Sequence, residues 1–143
     1  MTTAADLVVA RVTDPDSPSY EGYRADCYDD ATGKPVVTQG QPTVGYGSRV
    51  REWSQARAEN DIRWYLGWLE GQIATAPWYR GTDIQKSVLL EVAFNQGLGG
   101  LLHYPHMLAY CAAGNFALAA TECTIAQSHL RPRYDALAKL LKG

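Results

Sequence analysis

The chain has 143 residues, 46% of them hydrophobic and 20% charged, and carries a formal net charge of −2. That is one domain's worth, with enough apolar material for a core that needs neither disulfides nor metals. So small a charge excludes the long-range field on which a nucleic-acid or anionic-membrane binder depends, and a bound polymer would have to be held by a shaped cleft.

Ala4 to Thr13 reads as a short helix, broken by Pro15 and Pro18. Ser17 is then an N-cap with Pro18 at the first helical position, which would carry Glu21 on a second short turn. From Tyr28 to Tyr46 the punctuation by Thr32-Gly33, Gln39-Gly40 and Gly45 around Val36, Val37 and Val44 predicts a small twisted antiparallel sheet. Ile62, Leu66, Leu69 and Ile73 recur at steps of four, three and four, the stripe of one long amphipathic helix. Ser54 would cap it, and Pro77 lies beyond its end.

Thr82-Asp83-Ile84-Gln85 is a capping box opening another helix, with Ile84, Val88 and Val92 on its buried face. It runs through Phe94 and stops at Gly97-Leu98-Gly99-Gly100. Further helices are expected after Pro105, after Asn115 and from Pro132 to Lys142. The predicted fold class is α+β, predominantly α-helical and in a single domain. A small N-terminal antiparallel β-sheet lobe, about residues 15–50, is joined by a long helix to a helical lobe, about 51–143. A polymer can lie in a cleft between two such lobes.

Cys27, Cys111 and Cys123 cannot all pair and form no C-x-x-C motif, so free buried thiols in a reducing compartment are expected. Met1 to Val12 has neither the basic start nor the long apolar run of a signal peptide, and no apolar stretch is long enough to span a bilayer. The run Thr43-Val44-Gly45-Tyr46-Gly47 spells a potassium-channel filter, but such a filter needs flanking membrane helices.

Chemistry is concentrated in an early acidic cluster: Asp14, Asp16, Glu21, Asp26, Asp29 and Asp30. An EF-hand is rejected, because Tyr28 stands where an oxygen ligand belongs and Ala31 where the glycine belongs. His103, His106 and His129 lack the spacing of a zinc hydrolase, so no metal and no cofactor is expected. Ser128 has no nucleophile-elbow glycines around it. What remains is a Glu followed by an Asp across a strand turn. Glycoside hydrolysis uses two such carboxyls, one to protonate the leaving oxygen and one to direct water or attack the sugar.

Tyr20-Glu21-Gly22-Tyr23-Arg24, Tyr28-Asp29-Asp30 and Pro42-Thr43-Val44-Gly45-Tyr46-Gly47 together resemble the signature of bacteriophage-type lysozymes and endolysins. Eight residues separate Glu21 from Asp30, as in that family. Ala93-Phe94-Asn95-Gln96-Gly97, Gly99-Gly100-Leu101-Leu102 and Ala112-Ala113-Gly114-Asn115-Phe116 are similar to its helical half. The resemblance runs from about Tyr20 to the C-terminus and implies a lysozyme-like fold and a muramidase activity on bacterial peptidoglycan. It implies Glu21 as general acid, Asp30 as the carboxylate that positions water, and Thr43 as the hydroxyl that holds it. Phe94 and Asn95 would bind substrate, and Arg133 would be the ion-pair partner of Glu21.

Asp29 stands beside Asp30, and only one of two strand neighbours can face a cleft. The segment from Asp30 to Thr43 is longer than is usual in the family. Taken singly, Glu21 reads better as an exposed helix-start acid, Asp30 as a turn residue, Thr43 as a strand residue and Arg133 as a surface charge. Their joint order is what points to catalysis. The expected partner is peptidoglycan, with a monomeric enzyme made in the bacterial host cytoplasm and acting on the periplasmic wall. Access would come from a membrane-permeabilising holin or from a phage particle, with no nucleic acid and no membrane insertion. The alternatives are a non-catalytic lysozyme-like domain that binds glycan or builds a phage particle, and a transglycosylase or glycosidase acting on chitin or chitosan.

Overall fold

The computed structural model describes residues 2–21, 24–29, 42–45, 48–49 and 55–143, with side chains described for 2–21 and 59–143. In chain order the elements are α1 (Ala4–Thr13), β1 (Arg24–Asp29), β2 (Pro42–Gly45), β3 (Ser48–Arg49) and α2 (Gln55–Ile73). They are followed by α3 (Asp83–Leu102), α4 (Pro105–Ala112), α5 (Phe116–Thr121), a 3-10 turn at Ser128–Leu130, and α6 (Arg131–Lys142).

The expected α+β class with a sheet lobe of its own is corrected. Among the described residues the structure is helical and its core is built by helices. Among the described residues strand is confined to three short segments, paired antiparallel in the order β1-β2-β3. Thr43 stands opposite Tyr28 on one side and Arg49 on the other, and the register slips between Arg24 and Tyr28. The physical reason is size and composition. Strands reading Arg-Ala-Asp-Cys-Tyr-Asp, Pro-Thr-Val-Gly and Ser-Arg carry too little apolar surface to support an independent layer.

The chain divides into two compact units, Val9–Tyr65 in one and Met1–Val8 with Leu66–Gly143 in the other. The first contains Val9, Val12 and Ile62 as buried residues, together with the three strands. After α1 the chain turns rather than entering a second helix. Ser17 does organise that turn, its Oγ accepting from the Ser19 N–H at 3.1 Å and its carbonyl from the Tyr20 N–H at 3.0 Å. The expectation of a helical turn bearing Glu21 is corrected accordingly: Pro15 removes a donor that a continuing α1 would need, and the Glu21 N–H goes back to the Val12 carbonyl rather than to Ser17 four residues before it.

The second unit is organised on α3. Thr82 caps it: its hydroxyl accepts from the Gln85 N–H at 3.1 Å while the Gln85 side chain accepts from the Thr82 N–H at 3.0 Å. Ser87 to Ala93 are all buried, so the helix is enclosed on every side along this stretch. Ile84, expected on the buried face, is 47% exposed, because the first turn precedes the enclosed stretch. The kink falls where the sequence placed a stop: Gly97 adopts φ +80° and ψ 168°, and the helix then resumes to Leu102. A residue with a side chain rarely takes that conformation.

The other buried side chains of this unit include Leu101 of α3 itself, Met107, Leu108 and Cys111 of α4, Ala119 of α5, Cys123, and Tyr134, Leu137 and Leu141 of α6. Asn115 caps α5 by accepting from the Leu118 N–H at 3.2 Å. Along α2 the predicted stripe of Ile62, Leu66, Leu69 and Ile73 is buried, whereas Trp64 and Trp68 are exposed. Among the described residues no helix is long and apolar enough to cross a membrane. Cys111 and Cys123 are free and buried, while the Cys27 side chain and the Ser54 cap lie outside what is described.

Candidate active site

Glu21 follows the turn that ends α1. Its backbone N–H donates to the Val12 carbonyl at 3.0 Å, so the residue is tied to the last turn of the helix that precedes it. An orphan C-terminal carbonyl of α1 is thereby satisfied, and the Glu21 backbone gains a fixed anchor. Its side chain is half-buried, a setting between full solvation and the core. Ser19, two residues earlier, is buried, and Tyr20 is exposed.

Thr43 lies in the middle of β2, backbone-paired on both sides. Asp29 ends β1 opposite Pro42. Asp30 and the side chains of Asp29 and Thr43 lie outside the described residues.

In the other unit, Phe94 and Asn95 sit half-buried on the last turn of α3 before the Gly97 kink. Side-chain hydrogen bonds along its length fix α6 against this helix. Gln85 Nε2 donates to the Leu141 carbonyl at 3.2 Å, Arg133 Nε donates to Glu91 Oε2 at 2.9 Å, and Tyr134 donates its hydroxyl proton to Asn95 Oδ1 at 2.8 Å. Low numbers on α3 meet high numbers on α6, so the two helices run antiparallel.

Arg133, read from the sequence as a partner of Glu21, is 5% exposed and its Nε is engaged by Glu91, which is fully buried. Removing two charges from water is costly, and the pair is tolerable only because each neutralises and hydrogen-bonds the other. Glu91 was not singled out by the sequence reading. The signal was nonetheless there: one carboxylate inside Val88-Leu89-Leu90-Glu91-Val92 has to find a cation if that stretch is enclosed.

The other missed group is Tyr134. Burial, the largest influence, pushes its phenol above the ordinary range, while hydrogen bonding from Gln96 and the charge of Arg133 act in the opposite sense. Tyr134 is therefore a neutral hydroxyl with one proton to give. His103 and His106 are exposed, and among the described residues no group of three His, Cys, Asp or Glu is placed to hold a metal ion.

A sequence profile for the family described as phage lysozyme matches residues 18–137. That span contains Glu21, Asp30, Thr43, Phe94, Asn95 and Arg133. Among solved structures, a crystal structure of a P22 lysozyme mutant superposes with a TM-score of 0.72 at 18% identity, covering 100% of both chains. At that identity the likeness is one of fold. No curated protein matches.

Proposed function

Because the chain belongs to the phage lysozyme family, we propose that it is a muramidase, hydrolysing the glycosidic bond between N-acetylmuramic acid and N-acetylglucosamine in bacterial peptidoglycan. The single observation that carries this reading is the family match across residues 18–137, which includes the Glu, Asp and Thr of the motif in their family order.

In the proposed mechanism Glu21 gives its proton to the leaving glycosidic oxygen as the bond to the anomeric carbon breaks. Asp30 accepts a proton from a water that Thr43 helps to hold, and that water forms the new bond to the anomeric carbon from the opposite face. Such a single displacement inverts configuration and needs carboxyls about 6.5–9.5 Å apart, whereas direct attack by Asp30 would need about 5–5.5 Å and would retain it. A hydroxyl placed to hold water suits the first scheme. Phe94 and Asn95 bind the glycan. The family resemblance is the ground for proposing Arg133 as a charge partner of Glu21, in addition to the Glu91 carboxylate that engages its Nε. The enzyme acts on the cell wall as a monomer, reaching it through a membrane-permeabilising partner or on a phage particle.

Clearing of permeabilised Gram-negative cells tests the assignment. Glu21→Gln is expected to fold normally and to lose at least ~10²-fold in rate, as for removal of a general acid. A folded Glu21→Gln protein that clears cells at the wild-type rate would end it.

A further inference from the structure

Asn95 does not stand alone at the end of the first segment of α3. The Tyr104 hydroxyl donates to the Thr124 carbonyl at 2.7 Å. Gln96 Nε2 donates to Tyr104 Oη at 2.8 Å and to Tyr134 Oη at 2.6 Å. Tyr134 in turn donates to Asn95 Oδ1 at 2.8 Å.

The polarity of this chain is forced. A backbone carbonyl can only accept, so the single proton of Tyr104 must go to Thr124. Tyr104 must then receive its second hydrogen bond from an N–H, which places the NH2 group of Gln96, rather than its oxygen, between the two tyrosines. Tyr134 thus also receives a donor from Gln96 and has its own proton left for Asn95. The Asn95 atom facing Tyr134 must be an acceptor, and the amide orientation follows: oxygen inward, NH2 away from Tyr134.

We propose that Tyr134 and Gln96 are positioning residues for Asn95, a hydroxyl relay that locks the Asn95 amide with its NH2 group offered to an acceptor oxygen of the bound glycan. The inference rests on the reading of Asn95 as a glycan-binding residue. It adds a reason why the side chain presents a donor and not an acceptor. An unconstrained asparagine can turn either face to a ligand, because its two ends differ little in shape. Here the choice is made before substrate arrives, so binding does not have to spend energy on it. Tyr134 is 1% exposed and carried by α6, and Gln96 sits next to the Gly97 kink, so both relay groups belong to packed elements rather than to a loop.

The test pairs side-chain amide NMR with kinetics. In 15N-labelled protein the Asn95 NH2 signals are identified by their loss in Asn95→Asp. Tyr134→Phe, which removes the hydroxyl and keeps the ring, should shift those signals and bring the two amide protons closer to averaging. Gln96→Met should do the same from the other end of the relay.

On solubilised peptidoglycan strands, Tyr134→Phe should raise KM about five-fold, the size of one neutral hydrogen bond, with kcat changed less than about two-fold. In an Asn95→Ala background the same change should leave KM where it is. A role limited to packing would lower the melting temperature but give the same KM effect in both backgrounds. Unchanged Asn95 amide signals in Tyr134→Phe, or a KM effect that persists without Asn95, overturns the relay. Failure of the muramidase reading would be seen separately, as full activity in Glu21→Gln, and the amide signals report on the relay without any activity at all.

Discussion

Removing the Arg133 guanidinium should unfold this protein more readily than any surface change could. Glu91 is fully buried and Arg133 is 5% exposed, with Nε 2.9 Å from Oε2. Arg133→Met keeps most of the aliphatic stem and deletes the charge, leaving the Glu91 carboxylate in the core without this cation. Breaking a buried pair from one side costs about 3–5 kcal/mol. Against a total stability of about 5–15 kcal/mol, that is a fifth of the whole at the least. For a chain of this size, at about 3–4 °C per kcal/mol, the melting temperature should fall by about 9–20 °C. Thermal and urea unfolding followed by circular dichroism at 222 nm measure it. The double variant Glu91→Leu with Arg133→Met removes both charges and should recover most of the loss, because two desolvation penalties vanish along with one attraction. An Arg133→Met protein melting within about 3 °C of wild type would refute the claim that the pair is a structural tie between α3 and α6, as would a double variant no better than the single.

Gly97→Ala should cost about 1–3 kcal/mol through backbone strain alone, since a Cβ there meets nothing within 4 Å; urea midpoints would show it. Burial pushes the Cys111 thiol up to about 11, and burial, with smaller contributions from Cys111 and Glu91, pushes Cys123 up to about 12, from an ordinary value of 9.0. The folded state therefore holds these protons longer than the unfolded one. Their stabilising effect is full below pH 9 and is lost as pH rises toward 11–12, so melting temperatures should decline over that window and decline less in Cys111→Ala with Cys123→Ala. Of the adjacent acids, Asp30→Asn should abolish lysis in the turbidity assay and Asp29→Asn should not; equal tolerance of both would place the second carboxylate elsewhere.

The helical half was legible because its signals are local. The reciprocal Thr82–Gln85 cap, the Asn115 cap and the Ile62-Leu66-Leu69-Ile73 stripe each state a boundary or a face within a few residues, and the structure follows them. Ile84 failed for a tertiary reason. Steps of four through Ile84, Val88 and Val92 suggest a helix with one buried face, whereas Ser87 to Ala93 are enclosed on all sides and Ile84 lies before that stretch. Leu89 and Leu90, apolar on the supposed outer face, were the available hint. The fold class was misjudged because turn residues and valines mark strands without saying how much core those strands can build.

Glu21 is a candidate on the strength of its motif alone, whereas its hydrogen bond back to Val12 is not legible in the sequence, since only folding brings the turn onto α1. The ties of Glu91 to Arg133 and of Asn95 to Tyr134 span 42 and 39 residues, beyond the reach of any spacing rule.

Mass spectrometry of the fragments released from purified peptidoglycan tests the central claim most directly. Hydrolysis at N-acetylmuramic acid adds one water per cut, so the account predicts disaccharide-peptides ending in a reducing N-acetylmuramic acid, with the peptide cross-links intact. None should appear with Glu21→Gln. Products ending in an anhydro sugar, in reducing N-acetylglucosamine, or cut within the peptide would contradict it.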